Sequence, residues 1–273
     1  MKHTLRNPLA LIGFAIIAGI LLLALIAPWI APYDPNAINV KAILLAPEPN
    51  HWMGTDGLGR DVFSRMLYGG RISLLVGFVA VGIATLIGIV LGAVAGFYRG
   101  WVDTVIMRTV DVMLSIPTFF LILAVIAFLT PSIWNIMIVI GLTSWMGVTR
   151  LVRAEFLSLR NREFVLAAQA LGAKDARLIF THLLPNSLTP IIVSSILGIA
   201  SAVLVESGLS FLGLGVQAPQ ASWGNILTDG KEYIQFAWWL SLFPGLAILL
   251  TVLGYNLLGD GLRDAYNPRS NQN

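Results

Sequence analysis

The chain has 273 residues, 57% of them hydrophobic and 11% charged, with a mean hydropathy of +0.81. A soluble domain carries about 25% charged residues, so the composition excludes an ordinary soluble protein and predicts an all-α, multi-pass membrane protein. The net charge of +3 is spread along the chain with no basic patch among aromatics, which excludes a nucleic-acid reader, and the lack of cysteine excludes disulfides, thiolate metal sites and thiol catalysis.

In chain order, Lys2 and Arg6 precede an uncharged run over residues 9–27, long enough to cross a hydrocarbon core of about 30 Å. Trp29 and Tyr33 follow as interfacial anchors. A cleaved signal peptide would have an apolar region of only about 7–15 residues, so the run is expected to remain as the first membrane helix. Residues 31–71 lie outside the membrane. Their first half is punctuated by Pro32, Pro35, Pro47 and Pro49. Their second half combines turn glycines (Gly54, Gly57, Gly59) with charges of alternating sign (Asp56, Arg60, Asp61, Arg65, Arg71). This pattern predicts a solvated, salt-bridged loop leading into an interfacial helix.

Residues 72–98 form a second span carrying Gly88, Gly92 and Gly96, a small-residue ridge for close helix packing. Arg99, Asp103 and Arg108 mark a short loop, with Asp111 expected to pair locally with Arg108. A third span over about 112–129 is kinked by Pro117. A turn at Pro131 leads to a fourth span over about 133–148.

Next comes a polar, alanine-rich insert, residues 162–186, flanked by apolar spans and expected to lie in water. It reads as two short helices. Asn161 is a candidate N-cap, Glu163 suits the positive end of a helix dipole, and Gly172 supplies a left-handed terminator. Asp175 opens the second helix and Pro185 bounds it. Ala167, Ala168 and Ala170 keep the first helix slim enough to enter a partner's groove. The fifth span, 188–205, ends at Glu206, a carboxylate expected to reach water or a partner chain. The sixth span covers 238–258 with Pro244 inside it.

Six spans with both termini in the cytoplasm place 12 of the 17 Lys and Arg residues inside, six of them between Arg150 and Arg177, and five outside. The excess obeys the positive-inside rule and predicts a cytoplasmic insert. Several chemistries are missing. No phosphate-binding Gly-x-x-x-x-Gly-Lys-Ser/Thr occurs; Gly224 to Lys231 has the wrong spacing and is followed by Glu232. His3, His51 and His182 show no metal-ligand spacing. Span serines such as Ser194, Ser195 and Ser201 suit helix packing better than nucleophilic attack. The chain is therefore read as non-enzymatic, with no cofactor and no metal.

The insert resembles the cytoplasmic "EAA" coupling loop of bacterial ABC-importer permeases. Ala167, Ala168, Gly172, Leu184 and Pro185 fall at the family spacing, while Leu166 and His182 stand where the family has Glu and Ile. Gly54, Thr55, Asp56, Gly59, Arg60, Asp61, Ser64 and Arg65 fill the outer-loop signature of the C-type permease subunit of dipeptide, oligopeptide and nickel importers. The resemblance implies a type I importer permease in a bacterial inner membrane: residues 1–71 as a first span plus periplasmic loop, and 72–273 as a five-helix core with coupling segment 150–187. It assigns ATPase coupling to Glu163, Ala167, Ala168, Ala170, Gly172, Ala173, Lys174, His182, Leu184 and Pro185. It implies as partners a homologous second permease subunit, one or two cytoplasmic ABC ATPases, an extracytoplasmic solute-binding protein and membrane lipid. Peptides are the expected cargo, with nickel chelates or glutathione as alternatives. A secondary transporter driven by an ion gradient is the competing class; it requires charged groups on interrupted helices near mid-bilayer, for which Asp111 and Glu206 are the candidates. An intramembrane enzyme or assembly scaffold is a third class, without a catalytic constellation to support it.

Overall fold

A computed structural model describes residues 8–266; Lys2, His3, Arg6 and Arg269 lie outside the described residues. The described chain is helical throughout: α1 (Pro8–Ile30), α2 (Val62–Tyr98), α3 (Gly100–Leu114), α4 (Thr118–Ile126), α5 (Ile133–Leu142), α6 (Trp145–Leu159), α7 (Glu163–Ala170), α8 (Asp175–Arg177), a π-helical turn (Leu178–Leu183), α9 (Leu184–Phe211), α10 (Trp223–Glu232) and α11 (Trp239–Tyr266). Five helical stretches are long and apolar enough to cross a membrane, and α3–α4 supplies a sixth if the bent pair is one span.

Helix α2 is the central post. Its glycine ridge meets α6 at backbone distance: a Cβ at Gly88 would lie 2.5 Å from the Val148 Cβ, one at Gly92 2.6 Å from the Thr149 carbonyl oxygen, and one at Gly96 2.7 Å from the Phe156 Cβ. Helix α1 packs similarly on α11, where a Cβ at Gly13 would meet the Gly254 oxygen at 2.7 Å. With no water-driven hydrophobic effect between helices in lipid, such close contact supplies the association energy.

Four expectations need correction. The second span does not begin at 72; α2 starts at Val62, capped by the Asp61 carboxylate, which accepts from the Ser64 N–H, so the expected interfacial helix and the span are one 37-residue helix. The third span is more than kinked. Pro117 is extended (φ −56°, ψ 121°), and α3 and α4 bend by 82° across the break. Arg99, Asp103 and Arg108 do not form a short loop: a single turn at Arg99 (φ 60°) leads straight into α3, and Asp111 pairs with Arg150 of α6 rather than Arg108. Finally, Pro185 does not end the second helix of the insert. The chain runs as one 37-residue helical rod from Asp175 to Phe211. The π turn widens the helix just ahead of Pro185, with the Leu184 N–H reaching back to the Ile179 oxygen, and so accommodates a ring that would otherwise clash with the carbonyl four residues earlier.

The α2–α6 seam makes a comparative prediction. Gly92→Leu should lower the stability of the purified protein by about 1–3 kcal/mol. Gly82→Leu, where an added Cβ meets nothing within 4 Å, should leave the thermal midpoint in detergent unchanged.

Candidate functional site

The coupling insert folds as an elbow. Its first arm, α7, has Arg162 rather than Asn161 at the N-cap, in extended conformation and with no side-chain cap; backbone bonds from the Arg162 N–H to the Leu159 oxygen and from the Val165 N–H to the Arg162 oxygen take up part of its first turn, and Glu163 suits the rest. Its end is fully specified. Gly172 adopts φ +82°, its N–H bonds the Gln169 oxygen at 2.9 Å, and the Ala173 N–H bonds the Ala168 oxygen at 3.0 Å. This is the Schellman arrangement. Lys174, extended, then redirects the chain into α8.

The inner side of the elbow is anchored. Val165, Leu178 and Leu183 are buried against Val152 and Phe156 of α6 and Phe97 of α2. Arg160 donates to the Phe97 carbonyl and sits 5.5 Å from the centre of its ring. Arg153 grips Asp103 of α3 through two bonds, one of 2.7 Å. The outer side is bare. Glu163, Ala167, Ala170, Gly172, Lys174 and Pro185 are exposed, Ala168, Ala173, His182 and Leu184 half-buried. Between them stand apolar residues that the sequence reading did not select: Phe164, Leu166, Phe180 and, 89% exposed, Leu171. The signal was available, since positions 164, 167 and 171 recur at helical spacing on one face of α7. His182 lies beneath this face with its ring centre 6.5 Å from that of Phe164.

The second set of sequence-selected residues lies at the other end of α2 and is not a solvated loop. Thr55, Asp56, Arg60, Asp61, Ser64 and Arg65 are all buried. Asp56 is the hub: Oδ1 accepts from the Leu58 and Arg60 N–H groups, and Oδ2 accepts from Arg60 Nε at 2.6 Å. Arg65 Nε lies 3.4 Å from the same oxygen, an ion-pair distance without hydrogen-bond geometry. Asp61 caps α2, accepts from the Ser64 hydroxyl and meets His51 Nδ1 at 2.9 Å. Thr55 donates to the Ala42 oxygen and receives the Trp239 indole N–H on its carbonyl at 3.0 Å. Gly54 (φ +74°) and Gly59 (φ +73°) make the turns that fold the segment onto itself. Alternating charges satisfy one another inside this plug. Its far side is α10, where Asp229 approaches Arg60 at 3.2 Å and Arg65 at 3.6 Å. Burial pushes the Asp229 carboxyl above the ordinary carboxylate range, and Arg65 and Arg60 only partly offset it.

Glu206 is the second correction at this end. It neither terminates a span nor reaches water. It is fully buried inside α9, accepting from the Ser210 hydroxyl at 2.8 Å and from Ser73 of α2 at 3.2 Å. The Ser73 oxygen in turn receives the Trp223 N–H at the start of α10. Three helices therefore meet on one carboxyl group. The elbow and the plug are far apart, tied together by α2 and by the rod.

Residues 88–272 match the family described as binding-protein-dependent transport system inner membrane component, and residues 1–47 match the N-terminal TM domain of oligopeptide transport permease C. The chain is 46% identical over 268 residues to the dipeptide transport system permease protein of Alkalihalophilus pseudofirmus, covering 98% of this chain and 88% of that one. It is 45% identical to the probable D,D-dipeptide transport system permease protein of Escherichia coli (97% and 89% covered). It is 40% identical to the oligopeptide transport system permease protein of Bacillus subtilis (96% and 86% covered). Among solved structures, the MetNI methionine ABC transporter in an inward-facing conformation superposes with a TM-score of 0.61 at 17% identity, covering 76% of this chain and 98% of that one, a likeness of fold.

The plug predicts unequal acids. Asp56→Ala strands two buried guanidiniums and should cost about 3–5 kcal/mol. Asp229→Asn should cost far less, because ionised Asp229 is already disfavoured by burial. With its folded value raised, Asp229 contributes stability below its unfolded value that is lost as pH rises through the folded one. The Asn variant lacks that loss, so its melting temperature relative to the parent should rise as pH climbs through the acid range.

Proposed function

Because the chain belongs to the family of binding-protein-dependent transport system inner membrane components, we propose that it forms half of the translocation path of an ATP-driven peptide importer. Its elbow docks in a cytoplasmic ATPase, and both termini share that side of the inner membrane. The observation that carries this reading is the outer face of α7. It is slim, apolar and unpartnered in water, yet fixed on its inner side and at Gly172, and the Lys174 turn feeds directly into a rod that crosses the bundle. Leu171 is the knob of that face, and Glu163, Lys174, Asp175 and Arg177 are its charged rim. Closure of two ATPase subunits would carry the docked elbow with it, and the attached helices would tilt as rigid bodies between two access states. The remaining partners are a homologous second permease subunit and an extracytoplasmic solute-binding protein, which would meet the plug end. Peptide cargo follows the named relatives. No cofactor is assigned to this chain.

One observation favours an ion-coupled carrier instead: Glu206 is a buried carboxyl within a membrane helix. Against it, α9 is uninterrupted around Glu206. Transport in sealed vesicles separates the two. Import that survives a proton and sodium uncoupler but stops without ATP is expected; the opposite pattern removes the importer reading.

The docking assignment predicts that Gly172→Asp, which forces a side chain into a left-handed conformation, abolishes import while membrane insertion persists. Leu171→Arg should release the ATPase from the purified complex without unfolding the bundle, since Leu171 packs against little in this chain. Normal import and normal ATPase retention in both variants would refute docking through α7.

A further inference from the structure

A cavity of about 230 Å³ opens between α9, the start of α6 and α2, and its lining carries no charged residue. Along α9 the lining includes Ser194, Gly198, Ser201 and Val205, spaced to share one helical face, with Ser195 and Ala202 beside them. Opposite stand Ser144 and Gly147, with Ala80, Ala84 and Thr85 of α2 as the floor.

Two hydroxyls of this groove, Ser144 and Ser194, differ from those elsewhere in the bundle. Thr143, Thr149, Ser187, Ser207 and Thr251 each turn the side chain back onto a carbonyl of the preceding turn. That is how a hydroxyl is tolerated in an apolar medium. Within the groove, Ser195 bonds back to the Ile191 oxygen at 2.9 Å and pairs with Thr85 at 2.9 Å, whereas Ser201 reaches the Leu197 oxygen of its own helix only at 3.4 Å. The Ser144 and Ser194 hydroxyls have no hydrogen-bond partner among the described residues, although Ser144 occupies an N-cap position where a serine hydroxyl would normally bond the helix amides. The helix break at Thr143–Ser144 falls at the same place. Unpaired hydroxyls and broken backbone at membrane depth are stable where they line water, and costly against lipid.

We propose that Ser144, Ser194 and Ser201, with Gly147 and Gly198, form this chain's wall of the path along which the cargo moves, and that they bind the amide groups of a passing peptide. The inference rests on the importer reading above. A hydroxyl both donates and accepts, so it exchanges hydrogen bonds with an amide backbone whatever the side chains. A wall without fixed charge holds neither terminus of a peptide strongly, which suits a path that must release what it admits. The glycines leave room for side chains, as the open space at Gly147 illustrates.

The absence of cysteine makes the test direct. Ser194→Cys and Ser201→Cys are introduced singly into the assembled transporter in vesicles, beside Leu249→Cys on the exposed face of α11 as the lipid-facing control. Each is treated with a membrane-impermeant methanethiosulfonate during turnover, and labelling is read as a mass shift of this chain. Because the thiolate reacts and forms only where water reaches it, the groove cysteines should label about tenfold or more faster than the control. Saturating dialanine should slow that labelling, and the labelled complexes should lose dialanine import. Groove cysteines as inert as Leu249→Cys, or labelled without loss of import, overturn the proposal; Ser144→Cys replaces either variant that does not assemble. Unmodified transporter in the same vesicles is assayed with and without ATP. Import independent of ATP strikes the importer reading alone, whereas inert groove cysteines in an ATP-dependent transporter strike the groove alone.

Discussion

One covalently continuous object organises this chain: the helical rod from Asp175 to Phe211, 37 residues and therefore about 55 Å long. A membrane helix must satisfy its own backbone groups, and a proline near an expected boundary is the usual reason for it to stop. Here the π turn over Leu178–Leu183 takes up the disturbance before Pro185, and the helix continues past Pro190 as well, so the rod carries from the elbow into the bundle without a break. The functional reading depends on this continuity. If the rod were jointed at Pro185, a force applied to α7 would be absorbed by the joint.

At its other end the rod is held by a polar junction buried among apolar packing. Glu206 accepts from Ser73 and Ser210, Ser73 receives the first amide of α10, and Thr228 of α10 donates to the Ser210 carbonyl at 3.0 Å. Close approach makes this possible: a Cβ at Gly224 would lie 2.6 Å from the Ser210 Cβ. The same α10 presents Asp229 to the plug's two arginines. The end of the rod, the short helix and the plug therefore form one polar network around Val62–Arg65 of α2, and the residues of the outer-loop signature act first as its internal glue.

What the sequence revealed depended on the range of each interaction. The greasy runs, the glycine ridge of α2 and the terminator at Gly172 are local patterns, and the structure follows them. The burial of Asp56, Arg60 and Arg65 was not legible because alternating charges read equally well as solvated or as mutually paired, and only the fold closes the pairs. Asp111 illustrates the same limit: Arg108 is its neighbour in sequence, but Arg150, 39 residues away, is its partner in space. Glu206 was placed at a helix end because a carboxylate is costly inside a span; the serines that offset the cost come from two helices and have no sequence signature of their own. The exposed stripe through Phe164, Ala167 and Leu171 was legible at helical spacing but masked by the more familiar alanines beside it.

The elbow joins two helices that are not equally free. Helix α6, at its entry, is locked to α2 by three glycines at backbone distance and to α3 by Arg153–Asp103. Helix α9, at its exit, meets α2 less closely at this ridge; a Cβ at Gly77 would find the side-chain methyls of Ile199 and Val203 at 3.0 and 3.2 Å and the Ile199 oxygen at 3.5 Å. On the proposed coupling, a displacement of the elbow would move α9 relative to the α2–α6 block, about its ties to α2 at Ser73–Glu206 and Thr85–Ser195. The hydroxyl groove lies between those two bodies, with Ser144 and Gly147 on the fixed side and Ser194 and Ser201 on the moving one. Since all four positions belong to helices that meet at the elbow, such a motion would alter the width of the groove directly, with no separate relay between the proposed docking face and the proposed path.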